Sequence, residues 1–169
     1  PSLCNITLID ITERKEAEAA LWNSKEKYSD LLNNLVEGIV VHAPDSSIVL
    51  SNPKASELLG LSEDQIREKQ IMDPDWKFLN ECYLPLPAHE YPFNQILANK
   101  KPLKNFIVGV KKSHSKVVEF LLVNGFPVID SNGELTEIVI SFIDITEMKL
   151  MQKEVIKAKY FAEKANKAK

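Results

Sequence analysis

The sequence predicts an α+β fold with one antiparallel sheet, flanked at both ends by amphipathic, coiled-coil-type helices. Segments of strand character group at the two ends of the central region, two before and three after a helical middle, an order that argues for one antiparallel sheet. A seven-residue motif also occurs twice. Ile9-Asp10-Ile11-Thr12-Glu13-Arg14-Lys15 returns as Ile143-Asp144-Ile145-Thr146-Glu147-Met148-Lys149, with six of seven positions identical. Each copy follows alternating apolar residues (Cys4, Ile6, Leu8; Ile138, Ile140, Phe142) and precedes a run rich in Glu, Lys and Ala, as expected where a strand ends and a helix begins. The repeat divides the chain into the last strand of a preceding unit (1–11), a connecting helix (12–35), a complete unit (36–146) and an exported helix (147–169).

In both copies Asp and Thr can accept hydrogen bonds from the first helical turn, and Glu13 and Glu147 sit where the helix dipole favours negative charge. Capping-box spacing fits Asp, whereas a Thr cap would place Lys three residues on, so the sequence leaves the N-cap open. Along 12–35 the positions Ala17, Leu21, Ser24, Tyr28, Leu31 and Leu35 form an a/d seam, widened by Trp22, Leu32 and Val36. That stripe suits a coiled coil or a helix folded against its own domain. The second seam is cleaner: Met148, Met151, Val155, Ala158, Ala162 and Ala165 run through mostly polar residues. Its small Ala side chains bury little area, so this coil needs the chain downstream of it for stability.

Between the helices, Gly38 to Ala43 and Ile48 to Ser51 are predicted as a hairpin around Pro44-Asp45-Ser46-Ser47. Asn52 is the expected N-cap of a helix opened by Pro53 and closed by Gly60. Ser62-Glu63-Asp64-Gln65 has the pattern of a capping box for a short second helix. A polar, Pro-punctuated stretch from Lys69 to Tyr91 is expected to be a loop, and Pro92 opens a helix through Ala98. Lys104 to Lys111, Val117 to Val128 and Leu135 to Ile143 complete the strands, the last two joined by the Asp130-Ser131-Asn132-Gly133 turn.

With 21 basic and 24 acidic side chains in 169 residues, the net charge is -3, so no general basic field exists and no nucleic-acid binding is expected. The most apolar run, Ile138 to Ile145, is broken by Ser141 and Asp144 and is far short of the roughly 20 residues that span a bilayer. No membrane insertion is expected, and no signal peptide, because Asp10, Glu13 and Arg14 arrive too early. Cys4 and Cys82 lie far apart without a C-x-x-C, which fits two unpaired thiols in a reducing compartment.

The element order, "SNPKASELLGLSEDQI" after the first hairpin and "FIDITEMK" closing the last strand together resemble a PAS sensory domain over roughly Lys25 to Lys149. The stretches "DWKFLNECYLPLPAHEYPFNQILANKKPLKNFIVGV" and "LLVNGFPVIDSNGELTEI" look like PAS domains found in tandem in microbial sensor histidine kinases. "AKYFAEKANKAK" is similar to the segment before the phosphoacceptor helix of hybrid kinases. The resemblance implies a PAS fold, a five-stranded antiparallel sheet with helices on one face and a pocket between sheet and helices, with output through the helix after Asp144-Ile145-Thr146. It further implies a cytoplasmic, prokaryotic two-component relay module, homodimeric through its flanking helices and joined to neighbouring PAS and kinase domains. A ligand-free interaction module, or a PAS module of a different output enzyme such as a cyclic-dinucleotide synthase, is the alternative.

Candidate ligand positions come from turning Phe142 inward, as the family resemblance suggests. Period 2 then turns Ile138 and Ile140 inward, with Ile39, Val41, Val108, Val110, Phe120 and Leu122 as companions, each strand's facing set uncertain by one residue. This lining suits either a closed core or a small apolar ligand. Asn124 in Asn124-Gly125 is the polar residue that could orient such a ligand or form a bulge. None of His42, His89 and His114 has a second ligand at metal spacing, so no metal is predicted. His89 lies nearest the position of the haem histidine in haem-binding PAS domains, but at or before the start of its helix, so haem is not expected. Flavin-binding PAS photoreceptors carry an Asn-Cys-Arg-Phe-Leu-Gln motif and a last-strand glutamine. Here Asn80-Glu81-Cys82-Tyr83 and Phe142 occupy the corresponding places, so flavin is not expected either. The five glycines form no phosphate-binding loop, Asp73-Pro74-Asp75 fits a solvated loop, and no catalytic residue is predicted.

Overall fold

The computed structural model describes residues 12–62, 66, 78–112 and 117–167. The chain divides into two compact units, Pro1–Leu35 and Val36–Lys169. In the first, α1 (Thr12–Asn33) is a continuous helix with an Arg14–Glu18 pair one turn apart. None of its residues is buried, and Leu21, Trp22, Tyr28 and Leu31 are exposed. The strand expected before it, with Cys4, Ile6 and Leu8, falls outside the described residues.

The second unit carries the sheet. β1 (Gly38–His42) and β2 (Ile48–Ser51) form the expected hairpin, and α2 (Pro53–Leu59) comes next. Asn52 caps α2 by accepting from the Ala55 N–H at 3.0 Å. Its side chain also accepts from the Ile39 N–H (2.8 Å) and donates to the Glu37 carbonyl (2.9 Å). One buried amide therefore fixes the start of α2 against the start of β1. Gly60 ends α2 at φ 68, the left-handed conformation that glycine adopts without steric cost. The capping box at Ser62–Gln65 lies largely outside the described residues; Ile66 beyond it is fully buried.

After β3 (Phe78–Leu79) and a 3₁₀ turn at Ala88–Glu90 come α3 (Pro92–Asn99), β4 (Leu103–Lys111), β5 (Val118–Ile129), β6 (Leu135–Asp144) and α4 (Thr146–Lys167). All pairings are antiparallel, in the order β2-β1-β6-β5-β4-β3. The fold class is that of the PAS prediction, with six strands among the described residues instead of five. The extra strand falls in the stretch read as a loop, and two residues are too few to show an alternation. Phe78 and Leu79 pair with Val110 and Gly109 of β4. The core lies between one sheet face and the helices, where Ala55, Leu58, Phe93 and Ile96 meet Val40, Leu121, Val123, Ile138, Ile140 and Phe142.

Candidate functional site

Within this core is a cavity of about 40 Å³ lined by Val40, His42, Leu59, Phe78, Tyr91, Pro92, Phe93, Val108, Leu121, Val123, Ile140 and Phe142. Of the positions expected to line it, Val108, Ile140 and Phe142 do so. Val110 and Ile138 are buried in the same core but do not border the cavity.

Four expected positions face the other way. In β1 the buried residues are Val40 and His42, while Ile39 and Val41 are half-buried on the outer face. In β5, Leu121 and Val123 line the cavity, and Leu122 turns outward. Phe120 is buried, but beneath the Tyr83 ring and the Lys149 ammonium rather than in the cavity. Register is the reason: Phe142 stands opposite Gly38 and Val123, and Ile140 opposite Val40 and Gly125. Directly paired residues share a face. β1 reads Gly-Ile-Val-Val-His and β5 contains Phe-Leu-Leu-Val, apolar on both faces, so composition holds no alternation to choose between them. Glycine at 38 leaves room for the Phe142 ring, which a Cβ there would overlap.

Asn124 is a further expected position outside the cavity lining: paired with Ser141 of β6, it stands opposite a bulge in β4. Its side chain accepts from the Asn105 N–H at 2.8 Å, where the β4–β5 register shifts and Asn105 adopts φ 54.

His42 brings a polar side chain to the cavity lining. It is 3% exposed, its ring centroid lies 5.0 Å from that of Phe93, and Nδ1 is 3.4 Å from the Ser46 carbonyl. Burial lowers its pKa from 6.5 to about 4, opposed by the Ser46 carbonyl, so the imidazole is neutral at physiological pH. Sequence reasoning placed His42 in a strand without assigning it to the pocket; the inward parity of Val40 was the missing signal. Tyr91, Pro92 and Phe93 come from the start of α3, and Phe78 from the unpredicted strand.

The junction at the end of β6 is built from all three expected residues. The Asp144 carboxylate accepts from the Thr146 N–H at 2.8 Å, the first amide of α4. The Thr146 hydroxyl instead faces β5, accepting from the Phe120 N–H at 2.9 Å, and the Ile145 N–H donates to the Phe120 carbonyl at 2.8 Å. The open choice of cap is thus resolved: Asp144 serves the helix and Thr146 serves the sheet. Ile145 is buried between them. Beyond the junction Met148, Met151, Val155, Ala158 and Ala162 are exposed along α4, as are Leu150, Ile156, Tyr160 and Phe161; Ala165 belongs to the same helix.

His89 is exposed, with Nε2 3.7 Å from Glu90. Cys82 is an exposed free thiol. His114, Asp73 and Asp75 lie outside the described residues. Among the described residues no cluster of three His, Cys, Asp or Glu side chains could hold a metal, and no helix is long and apolar enough to cross a membrane.

A mixed helix and antiparallel-sheet layer enclosing an apolar cavity, with a helix leaving directly from the last strand, defines a PAS-type domain. The PAS domain family model matches residues 36–147, and the chain belongs to that family. Virulence sensor protein BvgS of Bordetella pertussis is 28% identical over 160 residues, covering 94% of this chain and 12% of that protein. Sporulation kinase E of Bacillus subtilis is 32% identical over 66 residues, 39% of this chain and 9% of that one. The chain therefore spans about an eighth or less of these relatives' lengths. Among solved structures, the PAS domain of Bordetella pertussis BvgS has a TM-score of 0.55 at 23% identity, covering 83% of this chain and 98% of that one. The PAS domain of an HTR-like protein from Haloarcula marismortui has a TM-score of 0.59 at 17% identity, covering 78% and 99%. At those identities the likeness is one of fold.

Proposed function

We propose that this chain is a non-catalytic signal-relay module of a two-component sensor histidine kinase. It acts in a prokaryotic cytoplasm as a homodimer through its flanking helices, between a preceding PAS domain and downstream kinase domains. Membership of the PAS family and similarity to a virulence sensor and a sporulation kinase support the setting.

The observation that carries the relay is the junction. Ile145 and Thr146 are both bonded to Phe120, the neighbour of cavity-lining Leu121. Any shift of β5 is therefore delivered to the first turn of α4. The contacts involved are worth about 1 kcal/mol each, strong enough to set the helix and weak enough to exchange. A heptad helix is a suitable receiver because coiled-coil packings are discrete.

The cavity, at about 40 Å³, has room for a water molecule or two and is well below the roughly 300 Å³ of ordinary organic-ligand sites. Its size favours an input that arrives as a change of packing, from the flanking helices or the dimer, over a bound haem, flavin or other organic cofactor. Asp144→Ala and Thr146→Val, introduced into the parent protein, should leave the domain folded at a cost of about 1 kcal/mol each while uncoupling kinase output from stimulus. Normal stimulus-dependent autophosphorylation in both variants would remove the relay.

A further inference from the structure

A second attachment holds α4 to the domain, on a different element from the junction. β3 runs into a tight turn at Asn80–Leu84 whose shape is set by Asn80. Its side chain accepts from the N–H groups of Cys82 (2.9 Å) and Leu84 (3.0 Å), and its own N–H donates to the Leu84 carbonyl at 2.8 Å. Tyr83 sits at φ 63, a left-handed conformation that a bulky side chain adopts only when its surroundings hold it there. Those surroundings are α4 and β5. The Tyr83 ring meets the Phe120 ring edge-on at 5.4 Å. Lys153 donates to the Tyr83 hydroxyl at 3.0 Å and lies 5.2 Å from the ring centroid.

One turn earlier, Lys149 pairs with Glu81 and lies 5.7 Å from the Phe120 ring centroid. The Lys149 side chain is largely covered, against the Phe120 ring, while Glu81 reaches it from the solvent side. Four residues apart, the two lysines share one face of the helix. At the other end of β3, Phe78 borders the cavity and packs edge-on against Tyr91 at 4.9 Å.

We propose that the Asn80–Leu84 turn is a latch on the output helix. Glu81 and Tyr83 hold Lys149 and Lys153 in the first two turns of α4, and β3 ties that grip to Phe78 at the cavity wall. The inference rests on α4 being the output helix. It adds a release mechanism: the junction fixes where α4 starts, relative to β5, whereas the latch fixes its direction, relative to β3. Movement of Phe78 displaces the turn, breaks both lysine contacts and frees the helix face while the Asp144–Thr146 junction stays intact.

Hydrogen exchange of the 169-residue chain, monitored by mass spectrometry, tests this. Glu81→Lys and Lys149→Glu should each raise exchange of the amides of residues 147–153 about fivefold or more. The Glu81→Lys/Lys149→Glu double variant should return it to within about twofold of wild type. Phe78→Ala should raise the same amides while β5 and β6 keep their protection, and the milder Phe78→Leu serves if the alanine variant loses protection throughout. Unchanged exchange in the single charge variants, failure of the swap to restore it, or indifference of α4 to both Phe78 substitutions would each overturn the latch. If Thr146→Val loosens α4 and Glu81→Lys does not, the latch falls and the relay stands. If the charge swap behaves as expected but Asp144→Ala and Thr146→Val both leave parent kinase output normal, the relay through the junction falls instead.

Discussion

Among the described residues, His42 is the one whose chemistry departs furthest from its ordinary state. Burial against Phe93 stabilises the neutral imidazole and lowers the pKa from 6.5 to about 4. In the unfolded chain the ring regains its proton near pH 6.5, while the folded domain refuses it down to about pH 4. Stability is therefore complete above pH 6.5 and falls across that window, because the unfolded state binds more protons. Two and a half pKa units correspond to about 3 kcal/mol. Urea midpoints of wild type and His42→Leu, measured from pH 7 to pH 4, should diverge by that order, the wild type losing stability and the variant showing a nearly flat profile. Asp45, held below the usual carboxylate value by the Ser47 hydroxyl and amide, and Asp130, held there by the Glu134 and Asn132 amides, are present in both proteins and cancel. Equal slopes would mean that His42 is solvated in the native state.

Among the described elements, α4 carries a long row of exposed large apolar side chains. Met148, Met151, Val155, Ile156 and Phe161 are all more than half exposed, a state that a helix of this composition relieves by packing against another helix. A second copy of α4 aligned on the Met148–Ala165 seam would bury Met151 and Val155 as adjacent a/d positions. Sedimentation equilibrium should give a dimer for the chain and a monomer for Met151→Glu/Val155→Glu, with the sheet's circular dichroism unchanged. A monomeric wild type would show that the seam alone is insufficient. At this scale the sequence was most readable. Asn52, Gly60, Pro92 and the Asp130–Gly133 turn marked element ends because each has a specific backbone or capping role, and the structure places those ends within a residue or so. The cavity was less readable for an equally physical reason. Its facing set depends on strand register, and β1 and β5 carry apolar residues on both sides. His42 and Leu121 were thus one position away from the residues expected to line it. The turn at Asn80–Leu84 brings Glu81 to Lys149 across 68 residues of sequence, a proximity that no local pattern encodes.

For the molecule as a whole, the decisive quantity is how easily the core opens, since both attachments of α4 lead back to strands that border the cavity. At about 40 Å³ the wild-type cavity cannot take a benzene-sized guest, which needs roughly 150 Å³. Phe142 closes one side, its ring lying against the Gly38 backbone. Removing that ring in Phe142→Ala should cost about 3–5 kcal/mol, the transfer term plus the term for the enlarged void. It should also convert the closed core into a binding site, because apolar voids of that size stay dry and accept small aromatics. Calorimetry with and without benzene should then show a raised Tm for the variant and none for wild type, the gain reaching about 2.7 kcal/mol at a hundredfold excess over Kd. Stabilisation of the wild type by benzene would instead mean that Phe142 and Phe78 part readily. The domain would then be poised between closed and open cores, and a small apolar molecule, rather than a change of helix packing, would become the stronger candidate for what moves β5 and releases α4.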